Sequence, residues 1–209
     1  MAHTSKVFMS NAQDRLESLI AKRLKSDADK ARIDRRIWDV FGETWCVMFT
    51  DLSGFSRQVE QFGIIHFLQV VVESERIFTP VVEEHDGFIL KKEGDSLMVI
   101  FRDSVKALRC AVEMQRVAHA YNLTRPKEEW VILCVGVGYG PALRIGDHDL
   151  FGPQVNAASK LGEDFAGPGE ILVTGELRSA CANEEGFRFE HIDRAPSGAA
   201  SAYRFLYQL

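Results

Sequence analysis

The chain has 209 residues, 46% hydrophobic and 26% charged, with a formal net charge of −5, which suits one soluble α/β domain with a short appendage. The acidic balance excludes a general electrostatic pull toward nucleic acid or an anionic membrane surface. No run approaches the roughly 18 apolar residues of a membrane helix, and no signal-length apolar stretch follows the N-terminus, so a cytoplasmic protein is expected. Cys46, Cys110, Cys134 and Cys181 form no CxxC pair and sit in or beside apolar stretches, which predicts buried free thiols.

In chain order, residues 10–42 read as one helix with at most one break. Ser10 and Gln13 match a capping box, and Leu16, Leu19, Ile20 and Leu24, then Ile33, Ile37 and Phe41, recur at helical spacing, with Gly42 as the stop. The pattern fits equally a helix packed on its own domain or one paired with a second subunit. Trp45 to Thr50 predicts a buried strand, ended by Asp51 and the turn residues Ser53 and Gly54. Ile64 to Glu84 is too long for a strand and reads as a buried helix, bent or re-registered near Pro80.

Phe88 to Lys91 and Ser96 to Phe101 predict a hairpin, with Gly94 supplying the positive φ of its turn. Val105 to Tyr121 reads as an amphipathic helix and Trp130 to Tyr139 as a strand. Gly152 to Phe165 reads as a helix, and Ile171 to Thr174 and Tyr203 to Tyr207 as strands. Strands and helices alternating around hairpins predict one domain with a mixed sheet covered by helices.

Three segments carry chemistry. Phe49-Thr50-Asp51-Leu52-Ser53-Gly54-Phe55-Ser56 puts a carboxylate at the end of a buried strand, where a hard cation finds oxygen ligands. The small residues after it leave backbone N–H groups to face an anion, and the following helix start adds a positive dipole. Leu90-Lys91-Lys92-Glu93-Gly94-Asp95-Ser96 carries Asp95 at a tight hairpin, where it meets Asp51 if the strands are neighbours. Two carboxylates at one sheet edge repel unless cations neutralise them, and divalent metals there also hold phosphates. In the third segment, Asp149 to Lys160, Asn156 and Lys160 are four apart on a predicted helix and share a face that could grip a ribose and a phosphate.

Taken in order, these motifs resemble those of the class III adenylate/guanylate cyclase catalytic domain, over roughly residues 43–209, leaving residues 1–42 as an N-terminal helical segment. The resemblance implies a ferredoxin-like core working as a head-to-tail homodimer with shared active sites. It implies that Asp51 and Asp95, with the Leu52 carbonyl, hold two Mg2+ or Mn2+ ions, and that the backbone of Ser53, Gly54, Phe55 and Ser56 holds the triphosphate. Lys91 and Asp149, from the partner subunit, match the pair that reads adenine: the lysine donates to a ring nitrogen and the aspartate accepts from the exocyclic amine. Asn156 resembles the residue that orients the ribose. The implied reaction is ATP to 3′,5′-cyclic AMP and pyrophosphate.

Two positions depart from the family. Lys160 stands where arginine is usual, replacing a planar fork with a point charge. The phosphate-binding segment near the C-terminus lacks its lysine, leaving Arg194 as the substitute. The alternatives are a cyclase for another base (CTP, UTP or GTP) and an inactive cyclase fold serving nucleotide binding or dimerisation.

Overall fold

The computed structural model describes residues 3–209, with side chains from residue 12 onward except at 55–58. The N-terminal segment is two helices, α1 (His3–Arg23) and α2 (Lys30–Phe41), separated by the one break that the pattern allowed. The break falls in the charged stretch that lacks an apolar face, and Asp29 opens the second helix by accepting from the Arg32 N–H at 3.0 Å. Ser10 lies inside α1, so it is not an N-cap, and Gln13 donates instead to Glu17 at 2.9 Å. Gly42 follows α2 with extended backbone (φ −72°), leading straight into a strand instead of turning back. Arg23 clasps Asp34 through two nitrogens at 2.5 and 3.1 Å, and Leu19, Ile37 and Phe41 pack with Ile145. One face of the helix pair therefore packs on its own domain.

The remaining elements are β1 (Gly42–Leu52), α3 (Phe55–Phe62), α4 (Ile64–Glu84), β2 (Phe88–Glu93), β3 (Ser96–Phe101), α5 (Ser104–Asn122), β4 (Leu133–Ile145), β5 (Asp149–Phe151), α6 (Pro153–Lys160), β6 (Ile171–Thr174), α7 (Gly175–Ala180), β7 (Arg188–Ile192) and β8 (Ala202–Leu206). The described strands form one sheet in the order β2-β3-β1-β4-β6-β8-β7, with β5 pairing on β4. Only β4 and β6 are parallel, which makes the sheet mixed, as expected. The helix over Ile64–Glu84 runs continuously through Pro80. The four cysteines are free and buried. No described helix is long and apolar enough to cross a membrane.

Two boundaries moved for physical reasons. The strand expected from Trp130 starts at Leu133, because residues 127–129 form a 3-10 turn and the Trp130 indole donates to the Arg125 carbonyl at 3.1 Å. It then runs past Gly140 to Ile145, since pairing with β1 continues through Trp45↔Gly140 to Gly42↔Leu143. The helix expected over 152–165 stays α-helical only to Lys160, and Leu161–Phe165 widens into a π turn closed by Ala166 N–H on the Leu161 carbonyl at 2.8 Å.

Alternation along the central strands sends Met48, Val99 and Val135 into a large core with Phe78 of α4 and Leu108 and Met114 of α5. The opposite face carries a smaller cluster of Trp45, Val47, Met98, Ile100 and Leu150, capped by Val155 of α6. On that face β4 presents Gly136 and Gly138. A Cβ at Gly136 would lie 2.1 Å from the Ala158 carbonyl oxygen, and one at Gly138 would lie 2.6 Å from that of Gln154. Helix and strand backbones are thus in direct contact, which only glycine permits.

Candidate functional site

The site grows from an irregularity in the hairpin. Ile89 pairs with Val99 but Lys91 pairs with Met98, so Leu90 and Lys91 together oppose one residue. This β-bulge changes where Lys91 points. In regular register Lys91 would face Leu97 and the large core; with the bulge it shares the Met98 face, under α6. There its Nζ donates to Asp149 Oδ2 at 2.8 Å and stands 3.7 Å from Glu93 Oε1. Asp149 is carried in by β5, paired with Ile145 of β4, and its Oδ1 accepts from the Leu150 N–H at 2.9 Å. The hydrogen bond to Asp149 raises the Lys91 pKa, so the ammonium stays charged.

Beside this pair lies a cavity of about 290 Å3 walled by Phe49, Met98, Leu150 and Val155. Asn156, Ser159 and Glu163 line it from the helix side. The direct seating of α6 on the glycines of β4 is what brings those three residues to the sheet. Glu163 was not singled out from sequence. It extends the face of Asn156 and Ser159 at helical spacing, and the signal was available, but the π turn that carries it was not foreseen.

Asp51 and Asp95 come together because β1 and β3 are neighbours, with Thr50 opposite Leu97. Gly94 (φ +62°) makes the turn that delivers Asp95. Burial, and then the charges of Asp95 and Glu163, push the Asp51 carboxyl up to about 6, and the Leu52 N–H offsets part of this. Burial also raises Asp95, partly offset by its own N–H and then by the Leu52 N–H. Asp95 Oδ2 is buried with no hydrogen-bond partner among the described residues. Two partly buried carboxylates, one with an unpartnered oxygen, form an environment that a cation would relieve. Neither residue lines the cavity that holds Lys91 and Asp149.

The turn after Asp51 is only partly available to an anion. The Ser53 N–H is taken by the Ile132 carbonyl at 2.8 Å, which corrects its assignment as a free donor. Gly54 (φ +91°) then starts α3, and the first-turn N–H groups of Phe55 and Ser56 have no acceptor within that helix. Lys160 is exposed at the end of α6 and does not line the cavity. Arg194 is exposed and stacks over the Phe165 ring at 4.8 Å, which ties it to the end of the π turn.

A family model described as the adenylate and guanylate cyclase catalytic domain matches residues 41–200. "Putative adenylate cyclase 3" of Rhizobium meliloti is 30% identical over 128 residues, 61% of this chain and 22% of that protein. An adenylate cyclase of Mycobacterium tuberculosis is 29% identical over 185 residues, 81% of this chain and 41% of its own length. The chain thus spans less than half of either relative. Among solved structures, the adenylyl cyclase CyaB from P. aeruginosa superposes with a TM-score of 0.66 at 19% identity, covering 80% of this chain and 96% of that one. The guanylate cyclase domain of RhGC from Catenaria anguillulae, solved with GTP, gives 0.65 at 15% identity, covering 80% and 98%. At these identities the likeness shows the fold alone, and it extends to cyclases of both bases.

Proposed function

Because the chain belongs to the adenylate and guanylate cyclase catalytic domain family, we propose that it is a nucleotidyl cyclase converting ATP to 3′,5′-cyclic AMP and pyrophosphate at composite sites of a homodimer. One arrangement carries this reading. Lys91 and Asp149 form a donor–acceptor pair at 2.8 Å beside a cavity, while Asp51 and Asp95 lie outside it. A single chain therefore presents two half-sites, and a head-to-tail partner would join the carboxylates of one subunit to the cavity of the other.

Within the cavity, Lys91 donates to a ring nitrogen of the base and Asp149 accepts from an exocyclic amine, the complement of adenine's edge. Guanine presents the reverse pattern and would leave both side chains unmatched. Asn156 orients the ribose, and Lys160, from the end of the same helix, places a cation toward the α-phosphate. The N–H groups at the start of α3 offer donors to the triphosphate.

The carboxylates of Asp51 and Asp95 and the Leu52 carbonyl form an all-oxygen donor set suited to magnesium or manganese, and the buried, unpartnered Asp95 Oδ2 fits such a ligand. When bound there, two such ions would lower the pKa of the ribose 3′-hydroxyl and neutralise charge on the phosphates. The protein's own part is to hold the 3′-oxygen in line with the α-phosphorus, which is catalysis by positioning.

The test is product analysis by chromatography and mass spectrometry after incubation with ATP, GTP, CTP or UTP and manganese or magnesium. Cyclic AMP that disappears in both Asp51→Ala and Asp95→Ala proteins is the expected result. A different cyclic nucleotide would overturn the roles given to Lys91 and Asp149. No cyclic product from folded dimer would leave a nucleotide-binding or dimerising module.

Residues 43–209 are the proposed catalytic unit, with residues 1–42 supporting the dimer. Deleting residues 1–36 should weaken self-association in sedimentation equilibrium, and an unchanged dimer constant would remove that role.

A further inference from the structure

Glu163 has no part in the reading above, yet it lines the same cavity as Lys91, Asp149 and Asn156. Its position is set by a local device. The α-helix gives way to a π turn at Leu161, and Gly162 lies against the sheet: a Cβ there would stand 3.0 Å from the Gly136 nitrogen and from the Phe49 carbonyl oxygen. The turn is therefore pinned to β1 and β4, and Glu163 is the next residue. Ser159 Oγ, one turn back, donates to Glu163 Oε2 at 3.0 Å. Oε1 has no protein partner among the described residues. The carboxylate is thus held by one oxygen and leaves the other to accept.

Chemistry narrows what it could accept from. Burial raises the pKa of Glu163, with smaller contributions from neighbouring carboxylates that include Asp95. A group so placed repels phosphate oxygens and is itself repelled by them. The base edge is already matched in that reading by Lys91 and Asp149, which line the same cavity. A neutral hydroxyl donor satisfies the remaining oxygen without a charge conflict, and a carboxylate acceptor makes that hydrogen bond a strong one.

We propose that Glu163, oriented by Ser159, accepts a hydrogen bond from the 2′-hydroxyl of the bound nucleotide's ribose, so that the chain selects ribonucleoside over deoxyribonucleoside triphosphates. The 3′-hydroxyl is the group that reacts and must stay free to approach the α-phosphorus, which leaves the 2′-hydroxyl as the sugar's anchoring donor. This inference rests on the cyclase reading for the identity of the ligand, but it concerns binding and does not need turnover.

The experiment measures dissociation constants of ATP, 2′-deoxyATP and 3′-deoxyATP by calorimetry with calcium present, on the full-length protein and on its Glu163→Gln, Glu163→Ala and Ser159→Ala variants. The intact protein should bind ATP roughly tenfold or more tighter than 2′-deoxyATP, since a polar group built to bond a hydroxyl rejects the analogue lacking it. Glu163→Ala should bring that ratio near one, Glu163→Gln should lower it, and Ser159→Ala should lower it less. The affinity for 3′-deoxyATP should follow that for ATP in the intact protein and fall with it in Glu163→Ala.

A ratio that survives Glu163→Ala overturns the proposal, as does an equal loss of affinity for ATP and 2′-deoxyATP. A variant that keeps the ratio but alters the calcium dependence of ATP binding would make Glu163 an electrostatic neighbour of Asp51 and Asp95 instead, which also overturns it. Circular dichroism melts of the variants separate these outcomes from misfolding. Failure of the cyclase reading is seen separately, as absence of cyclic product from protein that still shows the binding ratio.

Discussion

The two faces of the central sheet are built on opposite terms. The face toward α4 and α5 is filled with large side chains such as Phe78, Leu108 and Met114, all essentially inaccessible to water. The face toward α6 is thin, and helix backbone rests on Gly136 and Gly138 with no side chains between. Its polar neighbours are imperfectly satisfied: Asp95 Oδ2 has no partner and the Asp51 carboxyl is pushed up to about 6. The lesson is a division of labour. Burial of apolar area stabilises one face, and the other spends part of that stability on a pocket and, outside it, on two poorly satisfied carboxylates.

The sharpest way to break this contrast is at Asp51. Asp51→Asn should lower cyclic-nucleotide formation by at least about a hundredfold, since a charged ligand is lost. The metal-free variant should nevertheless melt about 2–4 °C higher, corresponding to roughly 1 kcal/mol once solvent screening of a partly exposed group is allowed for. The sign follows from linkage. With the folded pKa raised from 3.8 to about 6, the folded state holds the proton more tightly, so the contribution of Asp51 to stability is greatest below about pH 4 and is lost as pH rises through about 6. Urea titrations should show the variant's advantage at pH 7 vanishing by about pH 4. An advantage that persists there would mean that the burial and crowding of the Asp51 charge are not its source.

Next in size is a pair of substitutions, one on each face. Leu108→Ala should cost about 2–5 kcal/mol by leaving a cavity in the large core. Gly136→Ala should cost about 1–3 kcal/mol or more, because its Cβ meets main-chain atoms that cannot rotate away. At a temperature where both proteins remain folded, Leu108→Ala should keep most of its kcat, whereas Gly136→Ala should lose it because α6 is lifted off the sheet. Equal losses of kcat in the two variants would dissolve the distinction between the faces.

Smaller effects test the pocket itself. Lys91→Ala should reduce the preference for ATP over GTP in kcat/KM by about tenfold, the value of one charge-assisted hydrogen bond. The melting temperature should barely change, because Lys91 and Asp149 are each about a third exposed and such pairs contribute little to stability. The smallest change expected is a severalfold rise in kcat for Lys160→Arg, since a guanidinium fork matches phosphate oxygens better than an ammonium. A fall in kcat would show that the lysine is the fitter residue here.

Much of the site was legible along the chain. Asp51, Lys91, Asp95, Asp149 and Asn156 stand in short motifs whose order was enough to bring them to attention, and the hairpin turn could be placed from Gly94. Local chemistry is what such segments encode: strand alternation, helical spacing and glycine at a positive φ act over a few residues.

Three things were decided only by the tertiary structure. The bulge at Leu90 aims Lys91 at Asp149, and nothing in the hairpin's own sequence separates that register from the regular one. The seating of Leu19, Ile37 and Phe41 on Ile145 depends on a surface supplied by β4, more than a hundred residues away. Glu163 entered the cavity only because Gly162 and Gly136 let a π turn lie against the sheet. Each of these depends on packing between segments distant in sequence, and periodicity within one segment carries no information about that.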